Sequence, residues 1–162
     1  MITCTFENGN TASLRHVTVA CLVLKAGEIL LAKRSYRLAE GGKWCLPGGY
    51  MDQGETTLGA TRREVREETG CEIENIQLLG INDSPARPGA SNQTVDFIYF
   101  ADVVSQGDAH DWETEELAWF PLTKLPQSEE IAYDHLDSIN LYISYLRDPF
   151  TLPIIYTHDR LG

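Results

Sequence analysis

The sequence predicts a layered α/β or α+β domain, because β-type runs interleave with two helix-type segments, turn signals separate them, and 162 residues are enough to enclose a core. Residues 16–25, HVTVACLVLK, alternate and then run apolar, and EILLAKR at 28–34 repeats the pattern. Gly27 at the join marks a hairpin turn between these two strands. The polar stretch SYRLAEGGK leads to a short WCL strand that ends at Pro47-Gly48-Gly49. Residues 57–69 read as a helix: Leu58 and Val65 stand seven apart on one face, available for the core. Thr56 or Thr57 caps its start, and Gly70 sits where a left-handed terminal glycine belongs. CEIENIQLLGI then reads as a strand or strand pair, NDSPARPGASNQ as a loop, and TVDFIYFADVV as a strand of strong β formers. An acidic segment, GDAHDWETEE, leads into LAWFPLTKLP, a short strand and turn. From 128 to about 147, Ile131, Leu136, Ile139, Ile143 and Leu146 fit an amphipathic helix packed on the sheet. The tail, 148–162, carries two prolines and is expected to be extended. With no repeat and no long linker, residues 1–162 read as one domain.

Composition narrows the partners. A net charge of −11 repels phosphate backbones and anionic lipid, which argues against nucleic-acid tracking and membrane-surface binding. The longest apolar run, Val19 to Leu24, is far short of the ~20 residues that span a bilayer. The N-terminus has neither a basic start nor an apolar stretch, so no secretory signal is expected and the location reads as cytoplasmic. Cys4, Cys21, Cys45 and Cys71 form no C-x-x-C pair and are expected to be reduced and mostly buried. His16, His110, His135 and His158 are scattered and read as surface or packing residues.

The chemistry concentrates between Gly49 and Cys71. Glu64, Glu67 and Glu68 stand in i, i+3, i+4 relation, so all three carboxylates project from one side of the helix. Like charges at this spacing repel, and something should neutralise them. Arg62, Arg63 and Arg66 are candidates, although Arg63 and Arg66 are expected to point away from Glu64. A hard divalent cation, Mg²⁺ or Mn²⁺, is the other partner that clustered carboxylates take. A solvated helix face laced with salt bridges explains the same run without a ligand. Gly48 and Gly49 favour the metal reading, since two glycines at a strand end permit a backbone path that leaves a carbonyl free for an ion or ligand.

Gly49, five residues, Glu55, seven residues, Arg63-Glu64-Val65, one residue, Glu67-Glu68, one residue, Gly70 and Cys71 reproduce a 23-residue pattern. It resembles the Nudix box of the Nudix hydrolase family, with Cys71 where the pattern asks for an aliphatic residue. The flanks WCLPGG and ELAWFPLTKLP are similar to segments that the family carries in the same order. The resemblance implies a Nudix fold, a mixed β-sheet sandwiched between α-helices, and hydrolysis of a diphosphate linkage in a nucleoside diphosphate derivative. It implies that Glu64, Glu67 and Glu68 are metal ligands, that the Gly48 carbonyl completes the site, and that Glu55 and Arg63 form an ion pair shaping loop and helix. The general base is Glu64 or Glu67 within the box, or Glu115 or Glu116 further on.

Substrate choice is less legible. Lys33, Arg34 and Arg37 lie where a guanidinium can reach substrate phosphates, with surface solubility as the other reading. The loop holding Arg87, a further candidate contact, follows the box at roughly the distance where ADP-ribose hydrolases of the family carry a proline. Pro85 falls one residue short of that place and Pro88 beyond it. ADP-ribose or a related nucleotide sugar is the expected substrate, with a nucleoside triphosphate as the alternative. A non-catalytic nucleotide-sensing module on the same scaffold is the reading from another class. A homodimer is left open, because only about fifteen residues precede the first expected strand. Nine acidic residues against Lys124 between 108 and 137 account for most of the net charge, so the acidity does not exclude a phosphate-bearing small molecule.

Overall fold

The computed structural model describes residues 2–107 and 111–158. Its centre is a mixed eight-stranded sheet with a helix on each face. β3 (His16–Lys25) is the axis. It pairs in parallel with β8 (Thr94–Gln106) along nearly its whole length. On its other edge the pairing divides: Val23–Lys25 meet β4 (Glu28–Arg34), whereas Thr18–Ala20 meet β6 (Gly48–Tyr50). β8 continues to β7 (Cys71–Asn82) and to β10 (Ile154–Tyr156), and β4 continues to β5 (Trp44–Cys45) and β9 (Thr114–Pro121).

Alternation along these strands sorts the core into two layers. Cys21 and Val23 pack with Leu30, Tyr99, Ala101 and Val65 of α1 (Thr57–Thr69). Leu22 and Leu24 face the opposite way and pack with Ile29, Leu31, Ile98 and Ile139 of α2 (His135–Arg147). A strand covered on both faces needs apolar residues at every position, which is why the middle of β3 reads as an unbroken run. Val65 is fully buried as expected, but Leu58 is 42% exposed, and Ala60 and Thr61 take the buried places near the start of α1. Cys21, Cys45 and Cys71 are buried free thiols, and Cys4 is partly exposed.

Three boundaries differ from the sequence expectation. The N-terminus forms a hairpin of β1 (Ile2–Thr5) and β2 (Thr11–Leu14), a separate two-stranded sheet. The C-terminal helix starts at His135 and not at 128. A single 3₁₀ turn covers Ser128–Glu130, and Ile131 then bridges Trp44 while the Ala132 amide donates to the Trp44 carbonyl at 2.8 Å. Ile131 is therefore buried by extending the β5 edge and not by the helix, and Leu146, expected on the buried face, is exposed. In the tail, 148–153 is irregular, and Ile154–Tyr156 form β10, which pairs in parallel with β7. Asp108, His110 and the last four residues of the tail lie outside the described residues. Among the described residues no helix is long and apolar enough to cross a membrane.

His135, read as surface or packing, is a packing residue with a definite task. Its Nδ1 accepts a hydrogen bond from the Leu46 amide at 3.0 Å, which ties α2 to the chain just before the glycine pair. Burial, with Arg87 and Arg34 nearby, pushes its pKa down to about 3. The unfolded chain takes up that proton near pH 6.5, whereas the native state refuses it, so acid favours unfolding across the interval from about 6.5 to 3. Denaturant midpoints measured from pH 7 down to pH 4 are expected to fall less steeply in His135→Asn, whose amide oxygen can still accept from Leu46.

Candidate active site

α1 carries the box carboxylates and is closed at both ends. The Thr56 hydroxyl accepts from the Gly59 amide at 3.1 Å, and Gly70 takes the left-handed conformation with its amide donating to the Arg66 carbonyl. Within that frame the three glutamates have different environments. Glu67 is half exposed, the Glu64 side chain is 13% exposed, and Glu68 is buried. The Glu68 carboxylate accepts from the Gly48 amide at 2.9 Å. Burial pushes its pKa up to about 8 against that hydrogen bond, and the charges of Glu64, Asp111 and Glu113 add to the rise. Glu64 also lies above the ordinary carboxylate range, through desolvation only partly offset by Arg63.

Arg63 holds the group together, contrary to the expectation that it points away from Glu64. Its Nε and Nη2 grip both oxygens of Glu55, at 2.8 and 2.9 Å. Its Nη1 donates to Glu64 at 2.8 Å and to Glu67 at 3.1 Å, and Nη2 reaches the Tyr50 carbonyl at 3.0 Å. Helical spacing fixes where Cα–Cβ bonds point, but a long arginine side chain can fold back along the surface towards the next residue's carboxylate. The bidentate grip holds the Glu55 pKa down at about 2. The pair that the family resemblance implied is thus an ion pair joining the loop after β6 to the middle of α1.

The two glycines provide clearance. A Cβ on Gly48 would sit 2.1 Å from the Val19 carbonyl oxygen, and one on Gly49 would sit 2.6 Å from a Glu64 carboxylate oxygen. The space above Gly49 belongs to the carboxylate. Glu64, Glu67 and Glu68 offer only hard oxygen donors, the chemistry that Mg²⁺ and Mn²⁺ favour. Among the described residues no group of three potential ligands is drawn up into a ready cage: Glu64 and Glu67 turn to Arg63, and Glu68 turns to the Gly48 amide.

Beside the carboxylates lies a cavity of about 470 Å³, in the range that holds small molecules. Gly48, Gly49, Arg63 and Glu64 form one wall, and Arg34, Tyr50, Tyr133 and the 90–92 segment line the rest. Of the expected substrate contacts, Arg34 lines the cavity and Arg37 does not. Arg87 reaches the lining, but its guanidinium is engaged elsewhere. It pairs with Asp134 at the start of α2 and with Asp96 of β8, at 3.2 Å for the latter, and its side chain is 8% exposed. Both acidic partners are buried, so this arginine fastens the 83–93 loop to the body. Glu115 and Glu116 are not brought to the cavity. Glu115 accepts from the Ser35 hydroxyl at 2.8 Å, and Glu116 pairs with Lys33 across β9 and β4 at 3.3 Å.

Within the acidic segment before β9, the carboxylate that does line the cavity is Glu113, which the sequence reading missed. Its amide donates to Asp111, whose own amide donates to the Glu67 carbonyl, so this segment lies against α1. Desolvation and Asp111 raise the Glu113 pKa. The missed signal lay in the strand start: once β9 begins at Thr114, Glu115 and Glu116 belong to the ladder with β4.

The sequence matches the NUDIX domain family over residues 14–142. The chain belongs to that family. It is 32% identical over 145 residues to the 8-oxo-dGDP phosphatase NUDT18 of Homo sapiens, covering 85% of this chain but only 42% of that protein. It is 32% identical over 129 residues to the ADP-ribose pyrophosphatase of Methanocaldococcus jannaschii, covering 80% of this chain and 73% of the relative. Among solved structures, the MutT NUDIX hydrolase of Burkholderia pseudomallei superimposes with a TM-score of 0.70 at 29% identity, covering 80% of this chain and 98% of that one. The mixed sheet between two helices is thus the Nudix fold.

The environments of Glu68 and Arg87 each yield a stability test. Because the folded Glu68 keeps its proton to about pH 8 while the unfolded carboxyl loses it near 4.5, the metal-free protein loses stability as pH rises through this interval. Glu68→Gln is expected to stabilise the metal-free protein at pH 8 by about 1 kcal/mol or more, with the advantage vanishing near pH 4.5, as read by thermal melts in chelator. Arg87→Ala is expected to destabilise by about 3 kcal/mol in denaturant titrations, because it leaves two buried carboxylates without their cation. A purely ligand-binding arginine would leave the midpoint unmoved.

Proposed function

We propose that this chain is a divalent-cation-dependent Nudix pyrophosphohydrolase acting on the diphosphate linkage of a nucleoside diphosphate derivative, ADP-ribose or a related nucleotide sugar. The observation that carries the reading is the Glu64, Glu67 and Glu68 set of α1, braced by Arg63 and opening beside the 470 Å³ cavity. The archaeal relative named an ADP-ribose pyrophosphatase supports that substrate. The human relative named an 8-oxo-dGDP phosphatase supports a second reading, a modified purine nucleoside diphosphate. Both share a diphosphate attached to a nucleoside.

In this reading Glu64, Glu67, Glu68 and the Gly48 carbonyl hold Mg²⁺ or Mn²⁺. The bound cation would offset phosphate charge and lower the pKa of a water molecule. The protein's own side chains do the rest. Glu55 fixes Arg63, and Arg63 keeps Glu64 and Glu67 oriented towards the cavity wall. Arg34, which lines the same cavity, is the side chain to meet a substrate phosphate. Glu113, with its raised proton affinity and its place on the cavity, joins Glu64 and Glu67 as a candidate to take the proton from water. Glu115 and Glu116 leave that list because their carboxylates face Ser35 and Lys33.

Purified protein with Mg²⁺ or Mn²⁺ is expected to convert ADP-ribose to AMP and ribose 5-phosphate, with chelator abolishing turnover and added metal restoring it. A parallel panel of 8-oxo-dGDP and nucleoside triphosphates ranks the alternatives by kcat/KM. Glu67→Gln is expected to lower kcat by about 100-fold or more while the melting temperature holds, since Glu67 is half exposed. Failure to hydrolyse any diphosphate overturns the proposal, and calorimetric nucleotide binding without hydrolysis would establish the sensing module in its place.

A further inference from the structure

Three large aromatic side chains in the described structure stand well out of the core near the cavity or its flanking loops: Tyr36, Tyr50 and Trp112. Of these, Tyr50 lines the cavity, and the residue is 48% exposed. Its attachments are unusual for an exposed tyrosine. The His16 ring lies 4.9 Å away at 49°, and the Asn92 amide donates to the Tyr50 hydroxyl at 3.3 Å. The backbone is paired with Thr18 of β3, and the carbonyl accepts from Arg63. The ring is thus held by a strand, a second ring and a loop, while nearly half the residue's surface remains uncovered.

From this geometry we infer that Tyr50 is the stacking surface for the aromatic base of the substrate, a specificity-determining contact of the cavity. The inference rests on the proposed nucleotide substrate and deepens it. Tyr50 lies two strand residues beyond Gly48, a separation of roughly 6.6 Å along the chain, so a base resting on the ring stays within a short nucleoside's reach of the Gly48–Glu68 pair. The other cavity tyrosine is less suited. Two guanidiniums, those of Arg34 and Arg87, stand over the Tyr133 ring at 5.1 and 5.7 Å, so this ring already has cationic partners within the protein. A ring fixed before the ligand arrives loses little conformational freedom on binding, and stacking accepts any base because each presents a π-face.

The test compares a ligand that has a base with one that lacks it. Full-length protein in chelator is titrated with AMP and, separately, with ribose 5-phosphate, using calorimetry for both. AMP is expected to bind more tightly than ribose 5-phosphate. Tyr50→Phe is expected to retain that preference, whereas Tyr50→Leu is expected to weaken AMP binding about tenfold and leave ribose 5-phosphate unchanged. Upfield ring-current shifts of the adenine protons in parent and Tyr50→Phe, absent in Tyr50→Leu, would mark the stacked geometry. Equal affinity of the parent for both ligands overturns the inference, as does an equal loss of both in Tyr50→Leu. If Tyr50→Leu fails to fold, Tyr50→Thr, a strand former without a ring, carries the same comparison. Hydrolysis of ADP-ribose that is insensitive to Tyr50→Leu removes the stacking role and leaves the proposed activity standing. Base-dependent AMP binding without any hydrolysis does the reverse.

Discussion

The guanidinium of Arg63 is the interaction on which the candidate site depends. Three carboxylates on one helix face repel one another, and a fourth, Glu55, arrives from the loop before the helix. A single planar cation meets Glu55 with one edge and Glu64 and Glu67 with another nitrogen, and it also takes the carbonyl of Tyr50. The bidentate part gives direction as well as attraction, which a lysine ammonium cannot supply. Remove that cation and nothing in the described structure ties the loop after β6 to the middle of α1 through side chains of opposite charge.

Glu68 shows the opposite strategy. It sits deep enough to favour the protonated form, and its anchor is a backbone amide, not a cation. The divided pairing of β3 makes this possible, because β6 takes the first half of the strand while β4 takes the second, bringing the Gly48 amide up to α1. The neutral state suits a protein without metal, and an arriving divalent cation would reverse the preference by supplying the charge that burial withholds. Fold stability and ion affinity therefore pull this one carboxyl in different directions.

Much of the fold was legible in residues whose pattern is local. The apolar run of β3, the Gly27 turn, the capped helix at 57–69 and the strong β formers of β8 all match their periodicity or their caps. What failed was non-local. Ile131 has the right spacing for a helix, yet pairing with Trp44 across the sheet wins, and the helix waits until His135. The N-terminal hairpin alternates over only four residues a side, with small side chains at Cys4 and Ala12, a signal too short to stand out from the longer apolar runs. For the site, the positions of Glu64, Glu67 and Glu68 on one helix followed from spacing, whereas their unequal burial followed from the sheet beneath. Glu113 was hidden in an acidic run, where only the register of β9 against β4 separates the carboxylate lining the cavity from the two in the ladder. Arg87 looked like a ligand contact because its tightest partner, Asp134, lies 47 residues away and Asp96 is an acidic residue hidden within the apolar pattern of β8.

The arginines divide the neighbourhood of the cavity into independently fastened parts. Arg63 secures the carboxylate wall from within the box, while Arg15 donates to the carbonyls of Asp83, Ser84 and Thr94 at the two ends of the facing loop, and Arg87 fastens its middle. The two loop clamps meet at Thr94, and neither shares a residue with the Arg63 clamp. Changes in the tip of that loop, around 88–92, can remodel what the cavity accepts without loosening the carboxylates, so recognition and reaction are separable units for variation and the scaffold is open to changes of substrate at constant chemistry.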